Sequence, residues 1–263
     1  MRRLDGPIRF RGGGFTPRDL PLAGFATLLT LLLLWQIGDA TGLVPTMFLP
    51  SPANIAVALY HLTMSGELWK HLSASLVRLI IGWSVGTVFG IGLGLAVGLA
   101  SQFRSPGMAV VSALFPIPKI ALVPLFIIWF GIGEGSKIAT LSFGVFFPTV
   151  IATAGGVDNV PRSLIRTAQS FGLSHAAIVR KVVLPAALPT ILNSFRVTSS
   201  IAIVLLVAAE MIGAERGIGA FVLSAGNLYD MDNLLAGIVV LSLLGLGVSW
   251  LIGRAERLLL AWR

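Results

Sequence analysis

The chain has 263 residues, 56% of them hydrophobic and only 11% charged, with no cysteine and a formal net charge of +8. Its mean hydropathy is +0.91. A soluble domain carries about 25% charged residues, so this composition excludes both a soluble globule and a disordered chain. The lack of cysteine excludes a disulfide scaffold, a thiol nucleophile and a cysteine-ligated metal. What remains is an integral membrane protein, and the charge becomes a question of which side it faces.

A helix needs about 20 mostly apolar residues to cross a bilayer core. Six stretches qualify: roughly 22–38, 73–100, 107–131, 137–156, 191–213 and 233–253. The first follows a basic tail (1–21), but the DATGLVPT behind it lacks a small-x-small cleavage site, so it reads as a retained span. Apolar residues surround each segment instead of alternating, which predicts an all-α fold and not a membrane barrel. Ile55, Leu59 and Leu62 mark a short interfacial helix after the first span.

Lysine and arginine then set the orientation. Thirteen of these residues fall on one side, including Arg104, Arg162, Arg166, Arg180, Lys181, Arg254 and those of the N-terminal tail. Only Lys70, Lys137 and Arg216 fall on the other. The positive-inside rule predicts both termini, 1–21 and 254–263, in the cytoplasm. The loop 157–190 is then the longest polar stretch on the cytoplasmic side, a candidate docking surface.

Within the second span Gly82, Gly86, Gly90, Gly94 and Gly98 recur every four residues and share one helix face. They allow close packing, either inside one subunit or at a moving or dimer-forming face. The third span is interrupted by Pro116, Pro118 and Pro124, with Lys119 near its middle. A lysine at that depth costs about 2.5–3.5 kcal/mol and must face the bundle interior or a cavity. Arg78 and Arg196 lie nearer span ends, where snorkelling accounts for them. Lys119 and Glu210 either pair or line a path. All four are candidates for a translocation path or gate.

Enzymatic readings find no support. His61, His71 and His175 fall in loops, no HExxH, GxSxG or Walker pattern is present, and Gly131–Gly135 is a turn between spans. The sequence therefore points to no catalytic residue and no metal or cofactor site.

From Arg166 the long loop reads RTAQSFGLSHAAIVRKVVLPAALPTI. It resembles the signature loop of ABC importer permeases: Ala168, Gly172, Val182, Leu184 and Pro185 fall on its positions, while Arg166 and Thr167 stand where Glu and Ala are usual. FLPSPANI, HLSASLVRLIIGW, PIPKIALVPLFIIWFGIG, FFPTV and VAAEMIGAERGIG resemble the sulfonate/taurine/nitrate/bicarbonate branch. The resemblance implies a type I importer permease fold in a bacterial inner membrane, importing a small anion by alternating access. It implies a coupling helix in the 157–190 loop gripped by separate ATPase subunits, which would bind ATP and magnesium. It further implies a periplasmic or lipid-anchored binding protein and a second permease copy, with no nucleic acid partner. From the residues themselves, 161–171 can form a short helix that Gly172 ends in a left-handed turn. The net positive charge inside the spans would favour an anion. The other reading is an ion-coupled secondary transporter that works without an ATPase.

Overall fold

A computed structural model of the chain describes residues 21–43 and 48–260. Most of the tail read as 1–21, and the last three residues of the tail read as 254–263, lie outside them. The chain divides into two compact units, Met1–Val57 and Ala58–Arg263.

In the first unit α1 (Pro21–Ala40) is apolar on every side and buries none of its length in the protein. Such a helix suits lipid. Its Thr27 and Thr30 hydroxyls donate to the Ala23 and Ala26 carbonyls at 2.9 and 2.8 Å, which leaves no side-chain donor bare at either position. Gln36 Oε1 accepts from the Ala53 N–H at 3.2 Å, and Ser51 Oγ accepts from Asn54 N–H at the start of α2 (Pro52–Met64).

In the second unit α3 (Glu67–Leu99) is 33 residues long, about 50 Å. It packs along α6 (Glu134–Asp158), and α6 packs in turn against α9 (Leu184–Met211). α3 and α6 run parallel, since Gly82 faces Leu141 and Gly98 faces Val157. α9 runs antiparallel to α6: Gly144 faces Leu205, and Gly156 faces Ala187. Leu79, Leu141, Val145, Ala202, Leu205 and Leu206 fill the shared core. α11 (Met231–Leu259) flanks α9.

The glycine row explains the intimacy of α3 and α6. A Cβ at Gly86 would lie 2.5 Å from the Ser142 carbonyl oxygen, and one at Gly94 would lie 2.5 Å from Thr153 Cβ. Ser142 Oγ also donates to the Gly82 carbonyl at 3.0 Å. In the structure the row packs against α6 of the same chain.

The stretch 107–131 is not one straight helix. α4 (Ser101–Leu114) and the segment Lys119–Phe130 meet at 88°. The bend follows from the prolines: Pro116 and Pro118 cannot donate, and Pro118 is extended (ψ 112°). A 3₁₀ turn, Lys119–Leu122, then leads into α5 (Val123–Phe130), with Pro124 in its first turn. Among the described residues five helices are long and apolar enough to span, or six with the bent pair taken as one broken span.

After α6 the chain forms α7 (Arg162–Ser170), α8 (His175–Ile178) and a π-helical stretch, Val179–Val183, that runs into α9. The wider turn gives room to Pro185, whose ring an α-turn would press against the Lys181 carbonyl. Between α9 and α11 lies α10 (Ile218–Asn227), too short to span.

Candidate functional site

Apart from Lys119, the paired charges of the bundle lie toward its two ends. At the α7 end, the short helix stops in a Schellman turn: Leu173 N–H bonds to Ala168 O (3.2 Å) and Gly172 N–H to Gln169 O (2.9 Å), with Gly172 at φ 69°. Ala168 is buried in a cluster with Val157, Val160, Ile178, Val183 and Ala187, which roots α7 on the ends of α6 and α9. Val182 and Leu184 are half-buried beside it, and Pro185 is exposed. Arg166 and Thr167 turn outward, with Arg162, Arg180 and Lys181 also exposed. Phe171, at the C-terminal end of α7, is 80% exposed. Gly172→Ala forces a left-handed alanine, at about 1–2 kcal/mol. The expected result is loss of order in α7, read as faster amide exchange over 162–173, with the spans unaffected.

Arg196 belongs to the same half. It pairs with Glu256 of α11 at 3.1 Å and is exposed, a surface contact worth about 0–1 kcal/mol. Arg104 and Asp158 form a second exposed pair, with both N–O distances 2.7 Å.

The far end is built differently. Arg78 is only 3% exposed and Glu210 is fully buried, and the two are joined at 2.7 Å. Snorkelling therefore does not account for Arg78: the long α3 carries it into the protein, where carboxylates from two other elements meet it. Its Nε and Nη2 each donate to Glu134 at 2.6 Å, and Nη1 also donates to the Arg216 carbonyl at 2.6 Å. Glu210 accepts further from Ser75 Oγ (2.8 Å) and from Gly219 N–H (2.9 Å). Ser75 Oγ in turn accepts from Ile218 N–H at 2.9 Å.

Glu210 thus supplies the negative charge at the N-terminus of α10, whose first N–H groups have no intrahelical partner. The local sequence permits this because Gly217 and Gly219 have no Cβ. A methyl at Gly217 would overlap the Glu210 carboxylate, and one at Gly219 would sit 2.7 Å from the Val207 carbonyl oxygen. His71 Nδ1 closes the arrangement against Gly217, 3.0 Å from its carbonyl and 3.2 Å from its N–H.

Lys119 does not pair with Glu210. It lies at the α4–α5 corner and donates to the Phe115, Ile117 (2.8 Å) and Leu114 (3.5 Å) carbonyls. Its ammonium also stands over the Phe115 and Phe147 rings at 5.1 and 5.4 Å. The lysine satisfies the Phe115 and Ile117 carbonyls at the proline break and adds to the Leu114 carbonyl, which also accepts from Ile117 N–H (3.3 Å), a capping role at a helix C-terminus. Lys119→Met is expected to lower stability by about 1–3 kcal/mol through those carbonyls, read from thermal unfolding in detergent.

Two partners in the far cluster escaped the sequence reading. Ser75 lies three residues before Arg78, and Glu134 sits in the turn taken as a plain connector. Each has a visible cue, a polar group next to an apolar run, but no spacing ties position 78 to position 134.

Comparison with known proteins places this architecture. A family model described as "Binding-protein-dependent transport system inner membrane component" matches residues 86–260. The taurine transport system permease protein TauC of Escherichia coli is 36% identical, covering 90% of this chain and 88% of its own. The putative aliphatic sulfonates transport permease protein SsuC of Bacillus subtilis is 33% identical, over 89% and 84%. The riboflavin transport system permease protein RibX of Chloroflexus aurantiacus is 31% identical, over 90% and 88%. Among solved structures, the inward-facing MetNI methionine ABC transporter superposes at a TM-score of 0.60, covering 71% of this chain and 93% of that one, with 24% identity. The fold is that of type I ABC importer permeases. The chain belongs to the binding-protein-dependent transport system inner membrane component family, as a multi-pass permease subunit of an ABC importer.

Proposed function

We propose that the subunit imports a small organic sulfonate, taurine or an alkanesulfonate, by alternating access. The family relatives support this choice of cargo: TauC and SsuC carry taurine and aliphatic sulfonates in their names, at 33–36% identity. RibX matches over the same length, so overall similarity alone does not choose between a sulfonate and riboflavin. Net positive charge within the spans, Arg78, Lys119 and Arg196 against Glu210, supports an anion.

The observation that carries the reading is α7. It is a short helix rooted by Ala168 on α6 and α9, ended by Gly172, with Arg162, Arg166 and Phe171 exposed. A separate ATPase gripping that handle would move α6 and α9 as it closes on ATP, with ATP and magnesium held by the ATPase. Arg166 and Thr167 would face that partner. The excess of basic residues at the α7 end supports a cytoplasmic position for it and for both termini. A periplasmic or lipid-anchored binding protein would deliver cargo at the α10 end. Two identical copies of the chain would enclose the path.

Copurification tests this. The chain with residues 166–172 replaced by Gly-Ser is expected to lose its ATPase subunit while remaining in the membrane. Retention of a stoichiometric ATPase, or sulfonate uptake by the chain without any ATPase, would overturn the reading. The second outcome would favour an ion-coupled transporter.

A further inference from the structure

The α10 end holds a polar cavity of about 510 Å³, lined by Arg78, Glu134, Lys137, Glu215 and Arg216 among others. Its volume falls in the range of small-molecule sites, about 300–1,000 Å³. The charged groups in it are unequally engaged. On the inner side, the Arg78–Glu210 contact is sealed, with side-chain exposures of 4% and 0%. On the cavity side, Glu134 takes the Nε and Nη2 edge of the same guanidinium, yet its own side chain is 59% exposed. The second contact is therefore the one that can open.

Lys137 deepens the case. It is only 4% exposed and lines the cavity from the first turn of α6. Its ammonium donates to the Gly133 and Gly213 carbonyls at 2.9 and 3.5 Å and has no carboxylate oxygen within 4.0 Å among the described residues, Glu134 and Glu210 acting on it only from farther off. A negatively charged ligand would give this buried cation a direct ionic partner. Arg216 adds an exposed guanidinium at the rim, also without an ion pair among the described residues.

We infer that this cavity is an oxyanion site in which the Glu134 carboxylate is the resting occupant. A sulfonate presents two oxygens to the Nε and Nη2 edge of Arg78 as a carboxylate does, and has a third oxygen for Lys137. Arg216 closes over the group from the rim. Glu134 moves into the solvent it already touches. One anion replaces another on Arg78, so the buried guanidinium keeps its compensation throughout. The inference rests on the sulfonate reading above and names the residues that would recognise that group. A phosphate ester of a lipid headgroup offers the same oxygens, and the experiment separates the two sources.

The full chain, purified with its ATPase in a phosphate-free maltoside detergent, is titrated calorimetrically with ethanesulfonate. Glu134→Gln removes the competing charge and is expected to tighten binding about five- to tenfold. Arg216→Gln, at an exposed side chain whose loss leaves the fold intact, is expected to weaken it about three- to tenfold. Equal affinity in Glu134→Gln and the unaltered chain, or no ethanesulfonate binding in either, would overturn the site. If dihexanoyl phosphatidylglycerol shows this pattern and ethanesulfonate does not, cargo recognition here is overturned in favour of a lipid. ATPase-dependent sulfonate uptake that persists unchanged in Arg216→Gln and Lys137→Gln removes the site and leaves the importer reading standing. Uptake that needs no ATPase removes that reading, whatever the titrations give.

Discussion

Arg78→Ala is expected to destabilise the protein by about 3–5 kcal/mol, the largest effect of any single substitution in the bundle. Removing one partner of a buried pair strands the other, and Glu210 is fully buried with Arg78 as its ion-pair partner. The same guanidinium holds Glu134 and the Arg216 carbonyl, so four elements lose a common tie: α3, the first turn of α6, the end of α9 and the entry to α10. Arg78→Lys keeps a charge but not the fork, and cannot serve both carboxylates at once. It should fall between the unaltered chain and Arg78→Ala. Glu210→Gln keeps an acceptor for Gly219 N–H and leaves Arg78 with Glu134, so its cost is expected to be smaller than that of Arg78→Ala. Thermal unfolding in detergent, followed by tryptophan fluorescence, reads all three. An Arg78→Ala protein within 1 kcal/mol of the unaltered chain would contradict the ion-pair account.

Two neighbouring glycines of α3 are expected to respond with opposite signs. A Cβ at Gly90 would stand 2.7 Å from Thr149 Cβ and 2.9 Å from the Phe146 carbonyl oxygen, and backbone cannot swing aside as a flexible side chain can. Gly90→Ala should therefore push α3 from α6 and cost about 1–3 kcal/mol. Gly92, half a turn on, meets nothing within 4 Å. There alanine relieves the entropy cost of a helical glycine, and Gly92→Ala should gain about 0.5–1 kcal/mol. The same unfolding assay measures both. Equal effects at the two positions would mean that helix propensity, not contact with α6, governs the row.

The long apolar runs of α3, α6, α9 and α11 are legible in sequence because hydrocarbon length and apolarity write them directly. The fourfold glycine spacing likewise marks a close-packed face, though spacing cannot tell which helix fills it. The sharpness of the corner at Lys119 was not legible. Three prolines announce a break, but the angle depends on where the chain resumes. Nor was the far ion cluster. Arg78 near a span end looks the same whether its head reaches water or a buried carboxylate. The difference lies in Glu134 and Glu210, which are 56 and 132 residues away along the chain. At the other end α7 could be anticipated, because Gly172 and Pro185 act on the residues beside them.

The parallel course of α3 and α6 has a mechanical consequence. Glycine contacts join the two helices at one level after another, and α9 is seated on α6 by Leu205 and Ala187. Arg78 clamps one end of that slab, and the cluster around Ala168 clamps the other. Contacts at successive levels would carry a torque applied at α7 along this slab toward α10, with Pro148 of α6 and Pro189 of α9 as its points of give and the π turn at Val179–Val183 as a wide-wound joint at its base.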